Sequence, residues 1–154
     1  MTSNESGGTG IVLVVDMANV VGSVPDGWWR DRGGAAQQLL SRLAELSGTT
    51  VAGPQGDPIR LTRILAVLEG QANLAKDADH DKSEGTLEVI RANGSGDDNI
   101  ARVATHLDEA GHRVLVVTAD RGLRTRLPAA VETVGPGWLN ALLGRGATGR
   151  RPSE

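Results

Sequence analysis

Apolar positions along the chain fall into two alternating rhythms. Continuous runs rich in β-branched residues stand at Ile11–Val15, Leu61–Leu68, Leu87–Ile90, Val114–Val117 and, more weakly, Val131–Val134. Their length and their bounding turn residues predict buried strands. Between them, Ala35, Ala36, Leu39, Leu40, Leu43 and Leu46 keep one helical face, as do Ile100, Val103, Ala104 and Leu107. A short helix is expected after Asp120, stopped by Pro128, and another from Pro136 carrying Trp138, Leu139, Leu142 and Leu143. Strands alternating with helices predict an α/β layer sandwich.

Strands apolar on both sides need cover on both faces, so the five-stranded sheet should be mostly parallel, with right-handed crossovers and its first strand near the middle. A single domain is expected over 10–143, with flexible tails at 1–9 and 144–154. The segments VAGPQGDP (51–58) and KDADHDKSEG (76–85) read as surface loops.

Composition narrows the chemistry. A chain of 154 residues with 39% apolar content suits one globular core, and a net charge of -3 gives no general attraction for nucleic acid. Cysteine is absent, which removes disulfides, thiolate metal sites and a cysteine nucleophile, and favours a reducing, cytoplasmic home. No stretch of about 18 apolar residues predicts a membrane span. No serine-nucleophile elbow and no phosphate-binding glycine loop is visible.

Acidic residues instead gather where the predicted strands end. Asp16 closes the first strand, Glu69 the second, and Asp120 follows the fourth, while Asp97 and Asp98 open the helix beyond the third. In an open parallel sheet ligands bind at that edge. Carboxylates converging there repel one another unless a cation neutralises them, and an all-oxygen set suits one or two magnesium or manganese ions. Such ions support phosphodiester hydrolysis. Asp16, Asp97 and Asp120 are the expected metal ligands, with Glu69 the weakest member. Asp98 and Asn19 complete the expected catalytic set, Asn19 as a neutral group able to orient a ligand or a water.

The stretch SVPDGWWRDR holds two of the three tryptophans in a chain without phenylalanine or tyrosine. Arg30 and Arg32 are candidate phosphate contacts there, and Trp28 or Trp29 a stacking face for an unpaired base. Arg121 could extend the basic rim, and Thr118 could hydrogen-bond either a ligand or a neighbouring acid.

The segments VVDMANVVG, GSGDDNI and VVTADRGLR, in that order, resemble the NYN branch of the PIN-like ribonucleases, in particular its bacterial YacP-like type. The resemblance implies a three-layer sandwich with sheet order 3-2-1-4-5 and metal-dependent cleavage of RNA, single-stranded by expectation. It matches Asp16, Asn19, Asp97 and Asp120 to the family's acidic-site positions. Relatives usually carry glycine where this chain has Met17, a side chain that could crowd the pocket. Met17 is the main support for a rival reading, a catalytically degenerate RNA-binding or protein-interaction module; a homodimer is compatible with either. A phosphatase on a similar sheet is disfavoured because Ala18 replaces the second acid of a D-x-D pair.

Overall fold

The computed structural model describes residues 9–23, 32–68, 81–82, 85–91 and 96–144. In chain order the elements are β1 (Thr9–Asp16), α1 (Met17–Gly22), α2 (Arg32–Leu46), β2 (Thr50–Ala52), β3 (Pro58–Leu68), β4 (Asp81–Lys82), β5 (Gly85–Arg91), α3 (Gly96–Glu109), β6 (Val114–Val117), α4 (Arg121–Thr125), β7 (Glu132–Val134) and α5 (Pro136–Leu143). The five strands expected from the apolar runs stand in the order β5-β3-β1-β6-β7, all parallel to their neighbours.

β1 lies in the middle because both its faces are apolar. Ile11, Leu13 and Val15 join one core with Met17, Val20 and Val21 of α1, Leu39, Leu40 and Leu43 of α2 and Leu139 of α5. Val12 and Val14 join a second core with Ile100, Ala104 and Leu107 of α3 and Leu123 of α4. Helices therefore cover both faces of the sheet, which lets a run of consecutive aliphatic residues be buried without a break.

The pairing of β1 with β3 contains one irregularity. Ile11 faces Leu61 but Val12 faces Arg63, so Thr62 is an extra residue whose hydroxyl donates to the Ile11 carbonyl at 2.9 Å. This bulge exchanges the faces of β3: Ile59 and Leu61 before it and Ile64, Ala66 and Leu68 after it enter the same core.

Three elements depart from the sequence expectations. β2 occupies the start of the segment read as a loop at 51–58, pairing antiparallel with Pro58–Arg60. Its tight turn is closed by Gly53 N–H to the Asp57 carbonyl at 2.6 Å, and Gly56 supplies a φ of 90°. The Trp138 indole N–H donates to the Ala52 carbonyl at 3.1 Å and ties β2 to α5. β4 lies within the charged segment 76–85 and pairs antiparallel with β5; backbone pairing needs no apolar side chains. The third departure is α1, a single short helix turning directly off Asp16. The expected tails, apart from Thr9 and Gly144, lie outside the described residues. Among the described residues no helix is long and apolar enough to cross a membrane.

Leu13 is completely buried in the first core. Leu13→Ala is expected to lower unfolding stability by about 3 kcal/mol, read in urea as a lower midpoint with unchanged slope.

Candidate active site

The central strands finish level with one another. Asp16, the last residue of β1, stands opposite Val67, and Val15 stands opposite Val117. Asp16 is only 4% exposed, so its carboxylate has lost most of its water and needs donors from the protein. Two are visible. The Thr118 hydroxyl donates to Asp16 Oδ2 at 2.8 Å, and the Asn19 backbone N–H donates to Oδ1 at 3.3 Å. The second bond makes Asp16 the N-cap of α1. MANVVG lacks a capping-box partner, yet the cap forms, because it needs one amide in reach and not a reciprocal glutamate.

Thr118 follows β6 and is wholly buried. Its hydroxyl gives its proton to Asp16 and accepts the Asp120 N–H at 3.1 Å. Of the two roles open to it in the sequence, the bond to an acid is the one seen here. Across the crevice, Asn19 Oδ1 accepts the Ala119 N–H at 2.9 Å. The turn after β1 and the turn after β6 are thus cross-linked through Asp16–Thr118 and Asn19–Ala119. The sequence allowed Thr118 a bond to an acid but identified neither Asp16 as that acid nor the Asn19–Ala119 link, since the partners lie about 100 positions apart.

Asp120 caps α4, its Oδ1 accepting the Leu123 N–H at 3.1 Å. A Cβ at Gly122 would stand 3.3 Å from that oxygen, so glycine leaves the carboxylate its space. Among the described residues the other oxygen, Oδ2, receives no hydrogen bond. Arg124, one turn along α4, donates to the Thr118 carbonyl at 2.7 Å.

The remaining predicted residues are placed as follows. Asp97 is half-buried in the first turn of α3, on the side shared with Ile100 and Ala101, which enter the second core. Its helix starts beyond the carboxyl end of β5, hence at the same sheet edge as Asp16. Asp98 is exposed and pairs with Arg126 at 2.7 Å. Arg121 is exposed on α4. Glu69, Trp28, Trp29 and Arg30 lie outside the described residues, and of Arg32 only the backbone, at the start of α2, is described. Met17 does not crowd the crevice: its side chain is fully buried in the first core, because the first turn of α1 directs it inward.

Among the described residues no three acidic or histidine side chains stand close enough together to hold one metal ion. Asp16 and Asp120 are nevertheless joined through a single hydroxyl. Asp120 Oδ2 receives no hydrogen bond among the described residues. This all-oxygen pair fits a hydrated hard cation, which needs only one or two carboxylates when water and phosphate oxygens fill the other positions.

No protein-family model matches the sequence, and no curated protein matches it. Solved structures do match. The fold is similar to that of Rae1 (YacP) from Bacillus subtilis. That structure aligns with a TM-score of 0.59 at 18% identity, over 86% of this chain and 73% of Rae1. A tryptophan-to-leucine mutant of Rae1 aligns with a TM-score of 0.60, again at 18% identity, over 87% and 75%. At that identity the likeness to Rae1 is one of fold. It agrees with the family that the three sequence segments resemble.

Thr118→Val would strip Asp16 of a donor and orphan the Asp120 N–H. The expected loss is about 1–3 kcal/mol of stability, largely restored by Thr118→Ser, in thermal or urea unfolding.

Proposed function

We propose that this protein is a metal-dependent ribonuclease of the PIN-like type, hydrolysing phosphodiester bonds of single-stranded RNA at the sheet edge marked by Asp16. The observation that carries the reading is the buried Asp16 carboxylate at the end of the central strand, linked through Thr118 to Asp120. The resemblance of three sequence segments to YacP-like NYN ribonucleases and the similarity of fold to Rae1 (YacP) support it.

In this reading Asp16 and Asp120, with Asp97 approaching from α3, form a negative crevice that would hold magnesium or manganese; Glu69 would add a further acid. A divalent ion bound there supplies charge neutralisation and a more acidic water. The chain's own part is positional. Thr118 and the Asn19 amide fix the Asp16 carboxylate, and Asp120 is fixed by its own helix. Asn19 has its carbonyl oxygen committed to Ala119, which leaves its Nδ2 donors to orient a phosphate oxygen or the attacking water. Water adds to phosphorus, the bond to the leaving sugar oxygen breaks, and the leaving oxygen takes up a proton. Trp28 or Trp29 would offer a stacking face to an unpaired base, and Arg30 and Arg32 would contact phosphates.

A second reading, an RNA-binding module without chemistry, draws on one observation: the described residues alone assemble no three-acid group. Met17 no longer supports it, being packed in the core.

Manganese should enable the purified protein to cut single-stranded RNA, and chelator should stop it. Asp16→Asn is expected to slow cutting on the order of a hundredfold or more, the scale of losing one preorganised electrostatic group, while a far-ultraviolet spectrum stays native. Metal-dependent cutting that survives this substitution would remove Asp16 from the chemistry. Calorimetry that finds no manganese uptake would favour the binding module.

A further inference from the structure

Helix α4 and its C-cap carry three arginines within six residues, Arg121, Arg124 and Arg126, and the structure sorts them by what each guanidinium touches. Arg126 is neutralised: it pairs with Asp98 at 2.7 Å, with side chains 46% and 73% exposed. Arg121 is exposed and makes no hydrogen bond or ion pair among the described residues, so binding through it would first have to freeze a long, freely rotating side chain. Arg124 differs from both. Its guanidinium is anchored on the Thr118 carbonyl at 2.7 Å, and no described carboxylate lies within ion-pair reach of it.

We propose that Arg124 grips an RNA phosphate next to the one being cut; this rests on the ribonuclease reading above. Three features point the same way. The anchor spends one N–H of the guanidinium and leaves the others to fork onto phosphate oxygens. The charge meets no carboxylate among the described residues, so an arriving phosphate need not displace one of them. The anchoring carbonyl belongs to Thr118, the residue whose hydroxyl holds Asp16, which fixes the cation beside the acidic crevice. The net charge of -3 gives the molecule no overall pull on RNA, and this anchored cation supplies a local one.

The test is the salt dependence of binding to a short fluorescein-labelled oligouridylate, measured by anisotropy with calcium in place of magnesium. Each phosphate contact to a single strand contributes about 0.7 to the slope of log K against log salt. Arg124→Gln is expected to reduce the slope by about that amount and to weaken binding roughly fivefold at low salt. Arg60→Gln, at the opposite end of β3, changes net charge equally and should leave the slope unaltered. Arg124→Lys keeps the charge without the fork; it should retain most of the slope while binding more weakly, and it guards against a folding defect in the glutamine variant. Wild-type binding with an Arg124→Gln slope equal to wild type, or an equal drop in Arg60→Gln, would overturn the assignment. Failure of the wild-type protein to bind the oligonucleotide at all would sink the ribonuclease reading together with this one.

Discussion

A carboxylate held out of water at the end of the central strand is the constraint around which this end of the molecule is arranged. Burying Asp16 without partners would cost several kcal/mol. The Thr118 hydroxyl and the Asn19 amide offset part of that cost, and both lie in turns that must then be held in place. The Asn19–Ala119 bond does so, tying the exit of β1 to the exit of β6. One buried charge thereby fixes the conformation of two chain reversals.

The two cores supply the rigidity that such a site requires. β1 contributes alternate residues to each, and the bulge at Thr62 keeps β3 in phase with the core it shares with α1, α2 and α5. Because β1 and β6 are parallel and in register, Val15 and Val117 end together, and the groups that follow them meet without strain. Asp97 arrives on a separate helix whose register is set by Ile100, Ala104 and Leu107 in the second core. The site thus stands on the most deeply packed elements of the fold.

Similarity of fold to Rae1 at 18% identity shows that these packing requirements can be met by very different sequences. At that identity it shows the fold alone and supports the chemical reading only beside the residues of the site. The chemical reading rests on a small set of polar side chains at the sheet edge, where a buried acid, an open carboxylate oxygen on Asp120 and an anchored arginine lie within one or two hydrogen bonds of Thr118.

The sequence by itself determined the strand and helix alternation and the middle position of the first strand, with Asp16 at its end. Those follow from local periodicity and from burial on two faces, which neighbouring residues report. It did not disclose α1, β2 or β4, whose formation depends on a cap or on backbone pairing with the next strand and leaves little mark on side-chain pattern. Met17 looked like an obstruction until the direction of the first helical turn placed it in the core. Likewise, Thr118, Arg121, Arg124 and Arg126 are undifferentiated polar residues in the sequence. Which of them supports an acid, which is neutralised and which keeps its charge was decided by tertiary structure, because hydrogen bonds and ion pairs between different elements depend on distances that exist only once the chain has folded.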